Sequence, residues 1–168
     1  MDTDPSSSPE SLCRACGARC CIGACPPLSP ERAALILSRG AYGDCIEYAG
    51  YRRIRLRENG ECAMLTGGTC AIHAFKPETC KAGPFTFAVS DAGLEIYLKQ
   101  ETICPLAGLL RADPARYREH YRVAIGQITG LVASLSASEL RVISAIPEDA
   151  TELVEILPLP AGVRHDRD

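Results

Sequence analysis

The chain lacks a surplus of positive charge. Its 168 residues carry a formal net charge of -3, so nothing draws it globally to nucleic acid or to an anionic membrane surface. Its basic residues are nearly all arginine and form no basic patch along the sequence. It also lacks an apolar run of membrane-spanning length. The longest weakly apolar stretch, Val123 to Leu135, is interrupted by Gln127, Thr129 and two glycines, whereas a span needs about 20 apolar residues. The opening Met1-Asp2-Thr3-Asp4-Pro5 is acidic and polar, where a secretory leader starts basic and turns apolar. These absences set the expectation of a cytoplasmic protein that takes neither nucleic acid nor membrane as a partner. No P-loop or glycine-rich dinucleotide motif occurs. The C-x3-C-x2-C run of radical enzymes starts at Cys16 and Cys20 but meets Gly23 in its third place. The bacterial ferredoxin run C-x2-C-x2-C-x3-C-P breaks at Arg19, despite Cys25-Pro26. No internal repeat is visible, and the length predicts one domain able to bury a core.

What the chain does have is cysteine, ten in all. Without an export leader, thiols stay reduced, and dense cysteine then points to metal or catalysis rather than disulfides. The densest stretch runs from Cys13 to Cys25, holds five cysteines, and has no apolar periodicity, so it reads as a loop shaped by something else. Cys13-Arg14-Ala15-Cys16 has the spacing that closes two thiolates on one metal, and Gly17 follows where a tight turn favours glycine. Cys20 and Cys21 extend the set. Neighbouring side chains diverge on an extended strand and lie about 100° apart on a helix. The adjacent pair is therefore expected to serve two metal positions, or two irons of one cluster, rather than one ion.

Four further cysteines, Cys62, Cys70, Cys80 and Cys104, each stand beside turn-forming residues that can aim a ligand inward. With the first four they suffice for two four-coordinate sites, or for one cluster and one zinc. Cys25 and Cys45 fit no ligand spacing and read as small buried hydrophobes. His73 lies three residues after Cys70. A zinc ribbon built on Cys13, Cys16, Cys70 and His73 would need a gap far longer than the roughly 15–20 residues usual in ribbons, so His73 reads as structural. Thiolates suit zinc and iron–sulfur clusters alike, so cysteine alone does not choose the cofactor. Two classes stay open: a non-catalytic metal protein acting as chelator, carrier or adaptor for a protein partner, and an iron–sulfur enzyme of redox or methyl-transfer chemistry.

The remaining pattern predicts a small, irregular α+β domain stapled by metal, with short strands and a hairpin, followed by C-terminal helices. Residues 1–11 read as a disordered lead, 12–108 as the cysteine-cluster domain, and 109–168 as a helical extension packed on the same core. Ser29 and Pro30 start a helix that Gly40 closes. Tyr51 to Arg57 reads as a strand, Asn59-Gly60 as a turn, and Cys62–Leu65 and Ala71–His73 as short strands split by Gly67-Gly68. Phe85–Ser90 and Leu94–Lys99 form a hairpin around a three-residue loop. Asp113-Pro114 opens a long helix whose stripe Tyr117, Tyr121, Ile125, Ile128, Val132 and Leu135 is core or a dimer seam. Ser136 and Glu139 make a capping box, and the tail after Pro158 reads as loose. Arg53, Arg55 and Arg57 alternate with Ile54 and Leu56 and read first as a solvated face, with compensation of a thiolate–metal charge as the sharper alternative.

Taken together, Cys13-x2-Cys16-Gly17-x2-Cys20-Cys21 resembles the signature of the CxxCxxCC, or YkgJ-like, family of zinc- or iron-chelating proteins. Other segments match in order: Leu28-Ser29-Pro30-Glu31, Cys62-Ala63-Met64-Leu65, Cys70-Ala71-Ile72-His73, Lys76-Pro77-Glu78-Thr79-Cys80-Lys81 and Gly83-Pro84-Phe85. Cys104 would be the last of eight family cysteines. The resemblance covers about Cys13 to Pro105, with one extra residue between Cys16 and the Cys20-Cys21 pair. It implies metal binding and little chemistry beyond that. The family often has tyrosine where His73 stands.

Overall fold

A computed structural model describes residues 13–146 and 150–164, so the expected N-terminal lead lies outside the described residues. The fold is mixed α+β, with small antiparallel sheets and helices gathered toward the C-terminal end. Helix α1 (Pro30–Arg39) begins as the sequence predicts. The Ser29 side chain accepts from the Arg32 amide at 3.0 Å, Pro30 takes the first helical position, and Ala33 and Ile36 face inward. Such a cap contributes about 1 kcal/mol. Strands β1 (Ile46–Tyr48) and β2 (Arg52–Ile54) pair antiparallel with Ile46 opposite Ile54. The predicted strand to Arg57 is cut short: beyond Ile54 only the single bridge of Leu56 to Cys62 remains.

Strands β3 (Leu65–Thr66) and β4 (Thr69–Cys70) form a minimal hairpin. They lie closer to the glycines than the sequence suggests, because Gly67 and Gly68 both adopt positive φ, 57° and 77°. A two-residue turn of that kind matches strand twist and pairs the residues on either side of it directly. Ala71–His73 is consequently not a strand; the chain runs into a 3-10 turn, His73–Phe75, and then α2 (Glu78–Ala82). With α1 and these strands, Leu28, Ile54, Met64, Leu65 and Ile72 form one buried cluster.

A second cluster is built on β5 (Phe85–Ser90) and β6 (Gly93–Lys99), paired from Phe85 with Leu98 to Ser90 with Gly93. The loop between them has two residues, not three, since Gly93 joins the ladder with φ 132°. Helices α3 (Pro105–Ala112) and α4 (Pro114–Ser134) pack Ala107, Leu110, Ala124, Ile128, Leu131 and Val132 against Leu94, Ile96 and Leu98. Asp113 Oδ1 caps α4 by accepting from Ala115 and Arg116, each at 3.1 Å. The predicted α4 stripe is core at its C-terminal half, while Tyr117, Tyr121 and Ile125 are only partly buried. The capping box on α5 (Ala137–Ser144) is present, with both Ser136 and Glu139 engaged. A last strand, β7 (Thr151–Leu157), pairs antiparallel with β6 and completes the order β5-β6-β7. Neither β7 nor α2 nor α3 is apparent from pattern alone. The tail is less loose than expected, because Leu159 and Val163 pack against the second cluster. Among the described residues, no helix is long and apolar enough to cross a membrane.

Candidate metal centre

The cysteine segment is ordered by backbone bonds rather than by a core of its own. Cys13 to Ala15 are helical, Ala18 turns the chain with φ 53° while buried at 3% exposure, and Arg19–Cys21 forms a 3-10 turn. The Ala18 amide donates to Cys13 O at 3.0 Å, and the Cys16 thiol donates to the same oxygen at 3.3 Å. Two tethers bring the distant cysteines in. The Cys62 amide donates to Cys21 O at 2.8 Å, next to a bridge of Ile22 to Glu61. Arg19 Nη1 donates to Thr102 O at 3.2 Å, which draws the Cys104 loop toward Cys20. Cys70 enters through β4, opposite Leu65, whose amide bonds Cys62 O. Cys80 enters on α2.

Helix α2 is itself anchored by a buried carboxylate. Glu78 Oε1 accepts from Ser29 Oγ at 2.5 Å and lies 3.6 Å from Arg32 Nε, so the cap of α1 and the helix bearing Cys80 share one polar contact. Glu78 Oε2 and His73 Nε2 are buried with no hydrogen-bond partner among the described residues.

Electrostatics tie all eight cysteines to Cys20 and Cys21, directly or through a neighbour. The Cys21 thiol donates to Cys20, and this bond lowers Cys20 to about 6 against the opposing effect of burial, with Lys99 and Lys76 helping. The same bond raises Cys21, as do its burial and the neighbouring Cys62 and Cys80. The charge of Cys20 is felt at Cys13, Cys70, Cys80 and Cys104, and Cys16 acts on Cys13. Burial raises Cys13, Cys62, Cys70 and Cys104 above the ordinary thiol value and pushes Cys80 up to about 12. The adjacent pair stands in a 3-10 turn, neither the strand nor the α-helix on which its divergence was expected.

The cations of this region are mainly lysines that the sequence reading passed over. Lys76 acts on Cys13, Cys20, Cys70 and Cys80, and Lys99 on Cys20 and Cys104. Lys76 is legible in the sequence as the basic residue of the Lys76-Pro77-Glu78-Thr79-Cys80 segment, and Lys99 only as the end of a strand. The arginine triplet is mostly structural rather than solvated. Arg53 pairs with Glu47 at 2.8 Å and covers the Tyr51 ring, and Arg55 donates to Asp44 O. Arg57 donates to Ala63 O at 2.9 Å and alone of the three bears on an expected ligand, Cys62. Cys45 packs against the first cluster, while Cys25 is half-buried with its carbonyl accepting from Tyr51 OH.

All ten cysteines are free thiols. Among the described residues, no three His, Cys, Asp or Glu side chains already converge on one point at ligand distance. The donor set nevertheless suits zinc or an iron–sulfur cluster: soft sulfurs, linked across four separate segments, with ammonium groups near to offset thiolate charge. Comparison with protein families returned the CxxCxxCC profile, described as a putative zinc- or iron-chelating domain, over residues 12–105. Comparisons with curated proteins and with solved structures gave no match. The matched span contains the whole network of eight cysteines, and the chain belongs to the CxxCxxCC family.

Proposed function

We propose that the protein chelates zinc or an iron–sulfur cluster through Cys13, Cys16, Cys20, Cys21, Cys62, Cys70, Cys80 and Cys104, as a non-catalytic metal protein. The observation that carries this reading is the family match over the span that holds all eight, with Cys62 tethered to Cys21 and the Cys104 loop tethered to Arg19, and all eight as free thiols. Loading requires rotation of cysteine side chains onto the metal and release of protons from the raised thiols. With Cys20 and Cys21 meeting, the pair suits a shared or bridged metal arrangement. In this proposal residues 12–108 are the cysteine-cluster unit, with the helical extension after 109 packed on the same core as β5 and β6.

An iron–sulfur enzyme is the second reading. The open depression lined by Glu101, Thr102, Pro105, Gly108 and Leu109 is not lined by Cys104 and gives it no substrate cleft. Anaerobic purification followed by elemental analysis and visible absorption separates the readings. Stoichiometric zinc in a colourless protein supports the chelator and rejects the cluster. Iron and sulfide in equal amounts with absorption in the visible assign the cluster. Protein free of both metals after growth and purification with each would overturn the proposal.

A further inference from the structure

Helix α2, which carries Cys80, does not fix its own direction. It has five residues, and Pro77 before it has no polar side chain to cap it. A helix that short has little stability by itself, so its aim is set by what grips its sides. Two of its residues are buried, Glu78 and Ala82. Ala82 packs into the second cluster. Glu78 reaches the other way, to the start of α1. Cys80 stands between these two anchors.

The Glu78 anchor is a polar clamp. Its Oε1 accepts from Ser29 Oγ at 2.5 Å and lies 3.6 Å from Arg32 Nε. Arg32 Nη2 in turn donates to Gln127 Oε1 of α4 at 3.5 Å. One carboxylate thus ties α2 to α1, and one guanidinium ties α1 to α4. Ser29 and Glu78 are 5% and 7% exposed, so water screens these contacts little. A buried ion pair is seldom the most stabilising way to fill such a place; what it adds over an apolar contact is direction. Residues two apart on a helix lie about 200° apart around its axis. With Glu78 turned toward α1, Cys80 is therefore turned to the opposite side, where Cys20, Cys62 and Cys70 act on it.

We propose that Glu78 is a positioning residue for the metal centre: held by Ser29 and Arg32, it fixes α2 so that Cys80 is presented to the other cysteines before metal arrives. The inference rests on the chelating role proposed for the cysteine network. A ligand already in place has less ordering to undergo on binding. Outer supports of this kind are worth roughly 10–100-fold in metal affinity. Opening the clamp should therefore weaken metal binding through Cys80 and leave the number of metals bound unchanged.

The test is a double-mutant cycle of Glu78→Ala with Cys80→Ser in the full chain. Zinc is titrated against a competing chelator, or ferrous iron under anaerobic conditions if the chain rejects zinc. In an otherwise wild-type chain, Glu78→Ala should lower affinity roughly tenfold at unchanged stoichiometry. With Cys80 already serine, it should lower affinity by no more than about twofold. A role in fold stability alone would lower affinity equally in both backgrounds, and that result would overturn the proposal. A second readout needs no metal: alkylation of the metal-free chain, followed by peptide mass spectrometry. Glu78→Ala should speed labelling of Cys80 and leave that of Cys62 unchanged. Should Glu78→Ala fail to fold, Arg32→Gln opens the same clamp with Glu78 in place and must give the same pattern. Metal uptake with affinity or Cys80 labelling unchanged by the variant overturns the positioning role and leaves chelation standing. A wild-type chain that takes up neither metal overturns both.

Discussion

At the scale of single residues, Cys20 is the unusual group. Its thiol is lowered to about 6 by the bond from Cys21, with Lys99 and Lys76 helping, whereas burial raises Cys13, Cys62, Cys70, Cys80 and Cys104. In metal-free protein at pH 7, iodoacetamide should therefore modify the Cys20–Cys21 pair before Cys13, Cys62, Cys70, Cys80 and Cys104, with Cys20→Ser abolishing the fast phase and metal loading protecting it. Equal labelling of all eight, followed by peptide mass spectrometry, would refute the assignment. The raised thiols act in the opposite sense on folding. Cys13, Cys62, Cys70 and Cys104 have folded values above the unfolded 9.0. Their stabilising contribution is complete below about pH 9 and is lost as pH rises through the folded values. Thermal melts of the metal-free protein should thus fall as the pH is raised above 9, and an unchanged midpoint there would contradict this account. Affinity for metal should rise with pH up to and beyond 9, because loading releases protons from the raised thiols.

At the scale of elements, turns decide where the ligands and the edge strand sit. Gly67-Gly68 carries Cys70 round to face Leu65 through positive φ at both positions. Gly93 is more constrained still: a Cβ there would stand 2.5 Å from Leu157 O, at a φ of 132°. Gly93→Ala is expected to cost roughly 2 kcal/mol or more and to loosen the end of β7 first. Urea denaturation with hydrogen exchange at Leu157 checks both parts, and a cost below about 0.5 kcal/mol would be incompatible with this packing. The capping residues were legible because they act locally. Ser29, Asp113 and Ser136 each bond an amide two or three residues on, as their positions predict. The hairpin loop was misjudged by one residue because Gly93 serves as strand and turn at once. α2 was hidden because it is five residues long and held by Glu78 reaching back to Ser29.

At the scale of the whole molecule, the two buried clusters are supported differently. The cluster around Leu28, Ile54, Met64 and Ile72 is bordered by Cys21, Cys45, Cys62 and Cys70, and its strands are two or three residues long. Strands so short have little stability of their own. The second cluster has a three-stranded sheet under a 21-residue helix. A strong chelator, or Cys16→Ser, is expected to expose the backbone of residues 13–72 to exchange while leaving β5, β6 and α4 protected. Uniform loss across both clusters, or no loss in either after complete metal removal, would show that metal and fold are not coupled in this way.

The sequence by itself determined the family, with eight cysteines in family order, the caps of its main helices, and the α+β class. Those features rest on residue identity and short-range spacing, which a linear pattern carries. Only the tertiary structure decided which groups act on one another. Arg19 reaching Thr102, Lys76 and Lys99 standing beside Cys20, and Cys20 meeting Cys21 all depend on through-space placement across separate segments. The edge position of β7 depends on it too, because a strand becomes an edge only once its neighbours have taken their places.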